Sequence, residues 1–251
     1  MSLYEELIEY SKNDEEIVKT FHPKSELCPD IFNSQNGSFI LKPDIRKKLI
    51  EISDHFMETL GVEFFIHDIH LTGSLSNYNW SKYSDVDLHI VIDFENTNYN
   101  HSFLKEFFDA KKEVWNKNHN VKIKNFDVEV YIQDNNEKHI SSGVFSVLNN
   151  KWLIEPKKET PNIDDRKILD KGEEYAKKID KMVSLSKKKD MTEEISLLRK
   201  KIKSFRQSGL ESGGEHSYEN LVFKLLRRNG YIKKLFDLRI KLIDKKLSLK
   251  Q

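Results

Sequence analysis

The stretch Asp85–Asp93, "DVDLHIVID", places the tightest constraint on the fold. Most of it is apolar enough to run inside a β-sheet, yet it opens with two aspartates one residue apart. Residues i and i+2 of a strand share a face. Asp85 and Asp87 therefore project together, while Val86, Leu88 and Ile90 face the other way. Two carboxylates this close repel each other unless a cation sits between them. An Asp-x-Asp at the mouth of an apolar strand thus points to a metal site of hard oxygen ligands, suited to Mg²⁺ or Mn²⁺ rather than zinc. A third carboxylate from another strand would allow two metals about 3.5–4 Å apart to clamp a phosphoryl transfer. The alternating run "KNFDVEVYIQD", residues 124–134, offers Asp127 and Glu129 on one face, opposite Val128, Val130 and Ile132. Sequence alone leaves the choice between Asp127 and Glu129 open. Upstream, "LTGS" supplies Gly73, which would let the backbone approach a phosphate, and Ser74, which could donate its hydroxyl and amide.

The surrounding periodicity predicts mixed α and β structure. A helix is expected over 3–20 and a loop over 21–41, where His22-Pro23, Cys28-Pro29 and Asn36-Gly37 fall. A second helix starts at Pro43, carries Ile45, Leu49, Ile52, Phe56 and Leu60 at helical spacing, and stops at Gly61. Residues 62–72 and 85–93 read as strands. Residues 102–118 read as a helix with Phe103, Phe107, Ala110 and Val114 on one side. Residues 138–155 are mixed, with room for short strands or a helix. The Lys-, Glu- and Pro-rich stretch from Pro156 to Pro161 reads as a boundary. Beyond it three helices are expected, at 164–185, 192–206 and 216–246. A Gly/Ser loop, "QSGLESGG", would separate the last two. The fold class is therefore α+β, with residues 1–158 as one domain and 159–251 as a basic helical one.

Charge follows the same division. Residues 1–165 hold 18 Lys/Arg against 29 Asp/Glu, and residues 166–251 hold 24 against 12. The second half could meet phosphates or the acidic half, or simply present solvated lysine faces. With no long apolar run, no basic apolar leader and a single cysteine, Cys28, the expectation is a soluble cytoplasmic protein without disulfides or a cysteine zinc site.

The order Gly-Ser, spacer, Asp-x-Asp, carboxylate strand is far more specific than any of its parts. In "GSLSNYNWSKYSDVDLHIVI" the chain resembles the DNA polymerase beta-like nucleotidyltransferase superfamily, over about residues 43–135. The resemblance implies a small mixed sheet flanked by helices, two Mg²⁺ ions and transfer of a nucleoside monophosphate from an NTP, ATP among them, to an acceptor hydroxyl. Asp85 and Asp87 match the family's metal-binding pair, Gly73 and Ser74 its phosphate-binding pair, and Ser84 the serine that often precedes the aspartates. The third carboxylate falls on "FDVEVYIQ", with Glu129 preferred and Asp127 next. Through "VEVYIQD", "SSGVFSVL" and "ENLVFKLLRRNG" the chain is also similar to nucleotidyltransferase-domain proteins of bacteriophages, which would place it in a host cytoplasm. The spacer lacks a second Gly-Ser or Gly-Thr of the kind cyclic-dinucleotide synthases carry, which weighs against a cyclase.

The acceptor implied by the basic second half is RNA, for instance a tRNA 3′ end, with a small molecule or a protein side chain as alternatives. Lys82 in the spacer, and Lys224, Arg227 and Arg228 on the last helix, are candidate contacts to triphosphate or RNA; the competing reading of each is a solvated cation. His89 is read as a hydrogen-bonded core histidine before a phosphate contact. His67 and His70, three apart in a strand, do not make a metal pair, and "SSG" at 141–143 is read as a plain turn. Two other classes stay open: a nucleotide- or partner-binding module that has lost turnover, and a structural protein whose carboxylates cap strands.

Overall fold

The computed structural model describes residues 13–35, 37–138 and 141–249. It forms two compact units. Pro23–Thr160 make one of them; the described residues up to His22 pack with Pro161 onward to make the other. The composition boundary near 156–161 thus coincides with a structural one. The chain's first segment, however, lies in the helical unit, not in the domain expected for 1–158. Contacts too remote for sequence to foresee place it there: Asn229 Nδ2 donates to Asp14 at 2.9 Å, and Arg228 donates to Thr20 Oγ1 at 2.7 Å. Residues 13–19 are helical (α1); the part of the expected 3–20 helix before residue 13 lies outside the described residues.

The Pro23–Thr160 unit is α+β. Strands β1 (Phe32–Gln35) and β2 (Ser38–Leu41) pair as a hairpin, where the sequence reading expected only loop. Asn-Gly between two short runs is the hairpin signal that reading passed over, and Gly37 has φ +83°. The main sheet comprises β3 (Ile66–Thr72), β4 (Val86–Ile92), β5 (Lys122–Ile123), β6 (Phe126–Asp134), β7 (Val144–Ser146) and β8 (Lys151–Ile154). Its order is β5-β6-β4-β3-β7-β8, with β4 and β6 parallel and every other pair antiparallel. A parallel neighbour needs a long crossover, and α3 (His101–Asn118) lies in it.

Helices α2 (Pro43–Glu58) and α3 cover the apolar sheet face. Pro43 opens α2, and its buried stripe is Ile45, Leu49, Ile52 and Phe56, as the spacing predicts. In α3 the Asn100 side chain caps the start, accepting from the Ser102 and Phe103 amides at 2.9 and 3.3 Å. Its buried face is Leu104, Phe108 and Trp115, whereas Phe103 and Val114 are more than half exposed. The expected stripe is thus rotated by one residue: two apolar stripes run side by side along this helix, and the indole of Trp115 decides between them by packing edge-on to Phe56.

In the other unit, α4 (Asp165–Ser186), α5 (Thr192–Gly213), α6 (Tyr218–Arg228) and α7 (Tyr231–Leu247) form a helical assembly. Two expectations fail. The "QSGLESGG" segment is not a loop: α5 continues to Gly213. Gly209 is buried there, and a Cβ on it would lie 2.6 Å from Glu219 Cβ, so close helix contact offsets its poor helix propensity. The long helix expected over 216–246 is broken between α6 and α7 at Asn229-Gly230, with Gly230 at φ +83° as a helix-terminating glycine. Among the described residues, no helix is long and apolar enough to cross a membrane.

Candidate functional site

Strand β4 alternates as its sequence requires. Val86, Leu88 and Ile90 are buried in the core, and Asp85 and Asp87 are half-buried on the other side. The parallel register then selects the third carboxylate. Val86 pairs with Val128 and Asp87 with Glu129. Ligand oxygens of Asp85, Asp87 and Glu129 all lie within 4.8 Å of one another. Asp127 is drawn elsewhere: its partner across the edge is Lys122 of β5, whose Nζ is 2.9 Å from its carboxylate. Of the two candidates that sequence left open, Glu129 is the one that joins the pair.

The Gly-Ser turn closes the site from the β3 side. Thr72, the last residue of β3, pairs with Asp87. Gly73 follows at φ +72°, ψ −160°, a conformation essentially reserved for glycine. A Cβ there would sit 1.7 Å from Asp87 Oδ2, so the turn's backbone lies directly on the carboxylate cluster. Ser74 begins a short 3₁₀ turn, Ser74–Ser76. Its hydroxyl donates to Ser84 Oγ at 2.7 Å, and Ser84 Oγ also accepts the Ser81 amide at 3.0 Å. Ser84, itself buried, therefore ties the glycine turn to the residue that enters the aspartate pair. Lys82 lies over the Tyr83 ring at 5.2 Å in the same spacer.

One supporting residue, Asn77, escaped the sequence reading, and two more, Ser142 and Gly143, lie in the "SSG" read there as a plain turn. Asn77 is buried and donates to Gly73 O at 3.0 Å, while Ser142 Oγ donates to Asn77 Oδ1 at 3.0 Å. Gly143 packs so closely that a Cβ would lie 2.0 Å from Ser76 O. The "SSG" segment is therefore a brace behind the Gly73–Ser76 turn, more than a plain turn. An Asn four residues after a Gly is too common a pattern to have signalled this.

The carboxylate end continues into a buried polar cluster along the same sheet face. His70 pairs with His89 across β3–β4 and with Ser146 across β3–β7. His89 donates from Nδ1 to Gln133 Oε1 at 2.8 Å and its ring lies 4.9 Å from Tyr131, in keeping with its reading as a hydrogen-bonded histidine. Asp68 accepts from Ser146 Oγ at 2.9 Å, Asn149 Nδ2 at 3.2 Å and the Ile69 amide at 2.7 Å, and lies 3.3 Å from His70 Nε2. Burial raises the Asp68 pKa. The hydrogen bonds from His70, Ser146 and Ile69 more than offset it and hold the group at about 2. His67 is exposed while His70 is buried, so these two form no metal pair.

The basic candidates of the last helices belong to the other unit. Lys224 is largely enclosed, with Nζ 3.5 Å from Glu215, and burial pushes its pKa down. The Arg228 guanidinium lies 4.9 Å over the Phe21 ring. Both are engaged within their own unit, whereas Arg227 is exposed. No family model, curated protein or solved structure matches the chain.

Proposed function

We propose that this protein is a divalent-metal-dependent nucleotidyltransferase, moving a nucleoside monophosphate from an NTP to an acceptor hydroxyl. The observation that carries the reading is the convergence of Asp85, Asp87 and Glu129 within 4.8 Å, directly against the backbone of a glycine turn. The donor set fits Mg²⁺ or Mn²⁺: three carboxylates, all oxygen, with no soft ligand. Such an ion, held by Asp85, Asp87 and Glu129, supplies charge neutralisation to phosphates and acidifies an acceptor hydroxyl.

The chain's own residues contribute position. Gly73, with no side chain, gives phosphate oxygens an approach to the backbone beside Asp87. The Ser74–Ser84 hydrogen bond and the Asn77 bond to Gly73 O hold that turn in place. In the transfer, the acceptor oxygen bonds to the α-phosphorus, the bond to the bridging oxygen breaks, and pyrophosphate leaves. The acceptor's proton passes to solvent or to a carboxylate of the cluster. The net positive charge of residues 166–251 favours RNA as acceptor.

The test is incubation of the full chain with each α-labelled NTP, Mg²⁺ and total RNA, small-molecule acceptors or the protein itself. Label transfer that disappears with Asp87→Asn is the expected result. Absence of transfer to every acceptor class, or transfer unchanged in Asp87→Asn, overturns the reading.

A further inference from the structure

The helical unit carries a second feature, independent of the carboxylates. Helices α5, α6 and α7 enclose a groove of about 730 Å³. Four arginines (Arg199, Arg206, Arg227 and Arg239) and three lysines line it, and none of its lining side chains is acidic. Its floor is apolar, with Ile202 and Leu235 buried and Phe236 43% exposed.

Three properties separate this groove from a solvated lysine face. The first is stacking. The Arg199 guanidinium lies 5.1 Å over Phe236, and that of Arg206 lies 4.5 Å over Phe223. These planar cations are held near aromatic rings, whereas a simple surface charge is a mobile ammonium. The second is hydrogen bonding to neutral partners. Arg206 donates from Nε to the neutral Asn220 Oδ1 at 3.2 Å; burial and the nearby Arg227 charge lower its pKa, and the Glu215 carboxylate offsets this only in part. Arg239 likewise donates to a neutral group, Ser196 Oγ, at 3.3 Å. The third is shape. Arg199, Lys203 and Arg206 recur at helical spacing on one face of α5, a line of positive charge about 10 Å long at 1.5 Å rise per residue. A line suits repeated phosphates better than a single one, and a groove with an exposed ring suits bases better than a flat lipid surface.

We infer that the α5–α6–α7 groove binds a single-stranded polynucleotide, its phosphates along the α5 and α7 cations and its bases on the Arg199–Phe236 and Arg206–Phe223 stacks. Planar guanidinium and aromatic faces are the surfaces on which unpaired bases stack. The inference rests on the helical unit alone and does not depend on nucleotidyl transfer, so a failed transfer assay leaves it standing.

The experiment is fluorescence anisotropy of the full chain with labelled single strands of about 12 nucleotides, RNA and DNA in parallel. With four or five phosphates contacted, log K falls against log salt with a slope of about −3. Arg199→Gln with Arg227→Gln weakens binding at least about tenfold and flattens the slope by about one unit. Lys200→Gln with Lys203→Gln, both exposed and remote from core packing, does the same to a lesser degree and guards against a folding defect in the arginine pair. Phe236→Ala weakens binding about fivefold without changing the salt slope, the mark of lost base stacking. Lys181→Gln with Lys188→Gln, which removes equal charge from the end of α4 and the turn after it, leaves affinity within about twofold, too little for a specific contact. Tighter binding of RNA or of DNA identifies the polynucleotide class. The inference is overturned if binding is equally insensitive to both groove pairs, if the Lys181 and Lys188 pair weakens it as much, or if phosphatidylglycerol vesicles bind through the same arginines while strands do not.

Discussion

A lone buried carboxylate and a group of three lie on one face of the same sheet, and they are treated in opposite ways. Asp68 is buried on β3 and surrounded by donors: Ser146, Asn149, the Ile69 amide and the His70 ring. Asp85, Asp87 and Glu129 are more exposed and converge on one another. The first is complete within the protein and contributes stability. The second holds like charges together, an arrangement that costs stability unless a cation enters. Distance along the strands from the turn at Gly73 decides which treatment a carboxylate receives. Asp68 lies deep in β3, whereas Asp85, Asp87 and Glu129 lie at the end where β3 gives way to the turn.

The contrast breaks most sharply at Asp87. Replacing it with Asn removes a carboxylate of the proposed metal site and should lower the proposed transfer about 10³-fold, equivalent to about 4 kcal/mol. Asp127→Asn, which removes a carboxylate paired with Lys122, should stay within about threefold of the parent, as exposed ion pairs contribute little. Binding to the native state alone should let Mg²⁺ stabilise the parent by about 2.7 kcal/mol at one hundred times its Kd, and so raise its thermal midpoint. That rise should vanish in Asp87→Asn, whose metal-free midpoint should equal or exceed the parent's. A lower metal-free midpoint would mean that Asp87 belongs to the same class as Asp68.

Gly73→Ala tests whether the turn must touch the carboxylates. The substituent meets Asp87 Oδ2 at 1.7 Å, in a backbone region that other residues avoid. We expect a stability loss of about 2–3 kcal/mol and a transfer rate down about 100-fold, because turn and carboxylate must move apart. Urea unfolding followed by tryptophan fluorescence reads the stability directly. Trp80, Trp115 and Trp152 are the chain's three tryptophans and all lie in the Pro23–Thr160 unit.

Asp68→Asn should behave as the opposite of Asp87→Asn, with a loss of about 2 kcal/mol at neutral pH from a buried network left partly unsatisfied. The pH dependence has a definite sign. Asp68 titrates at about 2 in the fold, below its ordinary 3.8. Its ionised form therefore stabilises the fold fully above the ordinary value, and that stability is lost as pH falls through 4 toward 2. The contribution is about 1–2 kcal/mol once solvent at the cluster's edge is allowed for. Urea midpoints of the parent should fall over that window, and those of Asp68→Asn should fall less.

The sequence carried the local half of this picture. Alternation in "DVDLHIVID" and "FDVEVYIQ" placed the right side chains on the right face, because a strand has only two faces to offer. It did not carry register. Choosing Glu129 over Asp127 needed the pairing of β4 with β6 and the pull of Lys122 on a two-residue edge strand. Nor did it carry the brace of Asn77 and Gly143 behind the turn, whose parts are more than 60 residues apart. The helical misreadings have local causes. Gly209 sits inside α5 because close packing there calls for a glycine, and Asn229-Gly230 ends α6 because Gly230 takes the left-handed turn.

Ser84→Ala is the smallest perturbation that still separates the lone carboxylate from the three. The Ser84 hydroxyl accepts from Ser74 and from the Ser81 amide, so its loss leaves a buried N–H without that partner, at about 1 kcal/mol. Asp85 and Asp87 keep their strand, and the Asp68 network is untouched. The turn above the carboxylates loses one of its two tethers and keeps the Asn77 bond to Gly73 O, and transfer should fall about three- to tenfold through the KM for NTP more than through kcat, since positioning of bound phosphates is what weakens. Ser84→Thr, which restores the hydroxyl, should recover most of the loss. A fall confined to kcat, or no recovery in Ser84→Thr, would show that the serine acts on the carboxylates themselves, not on the turn that faces them.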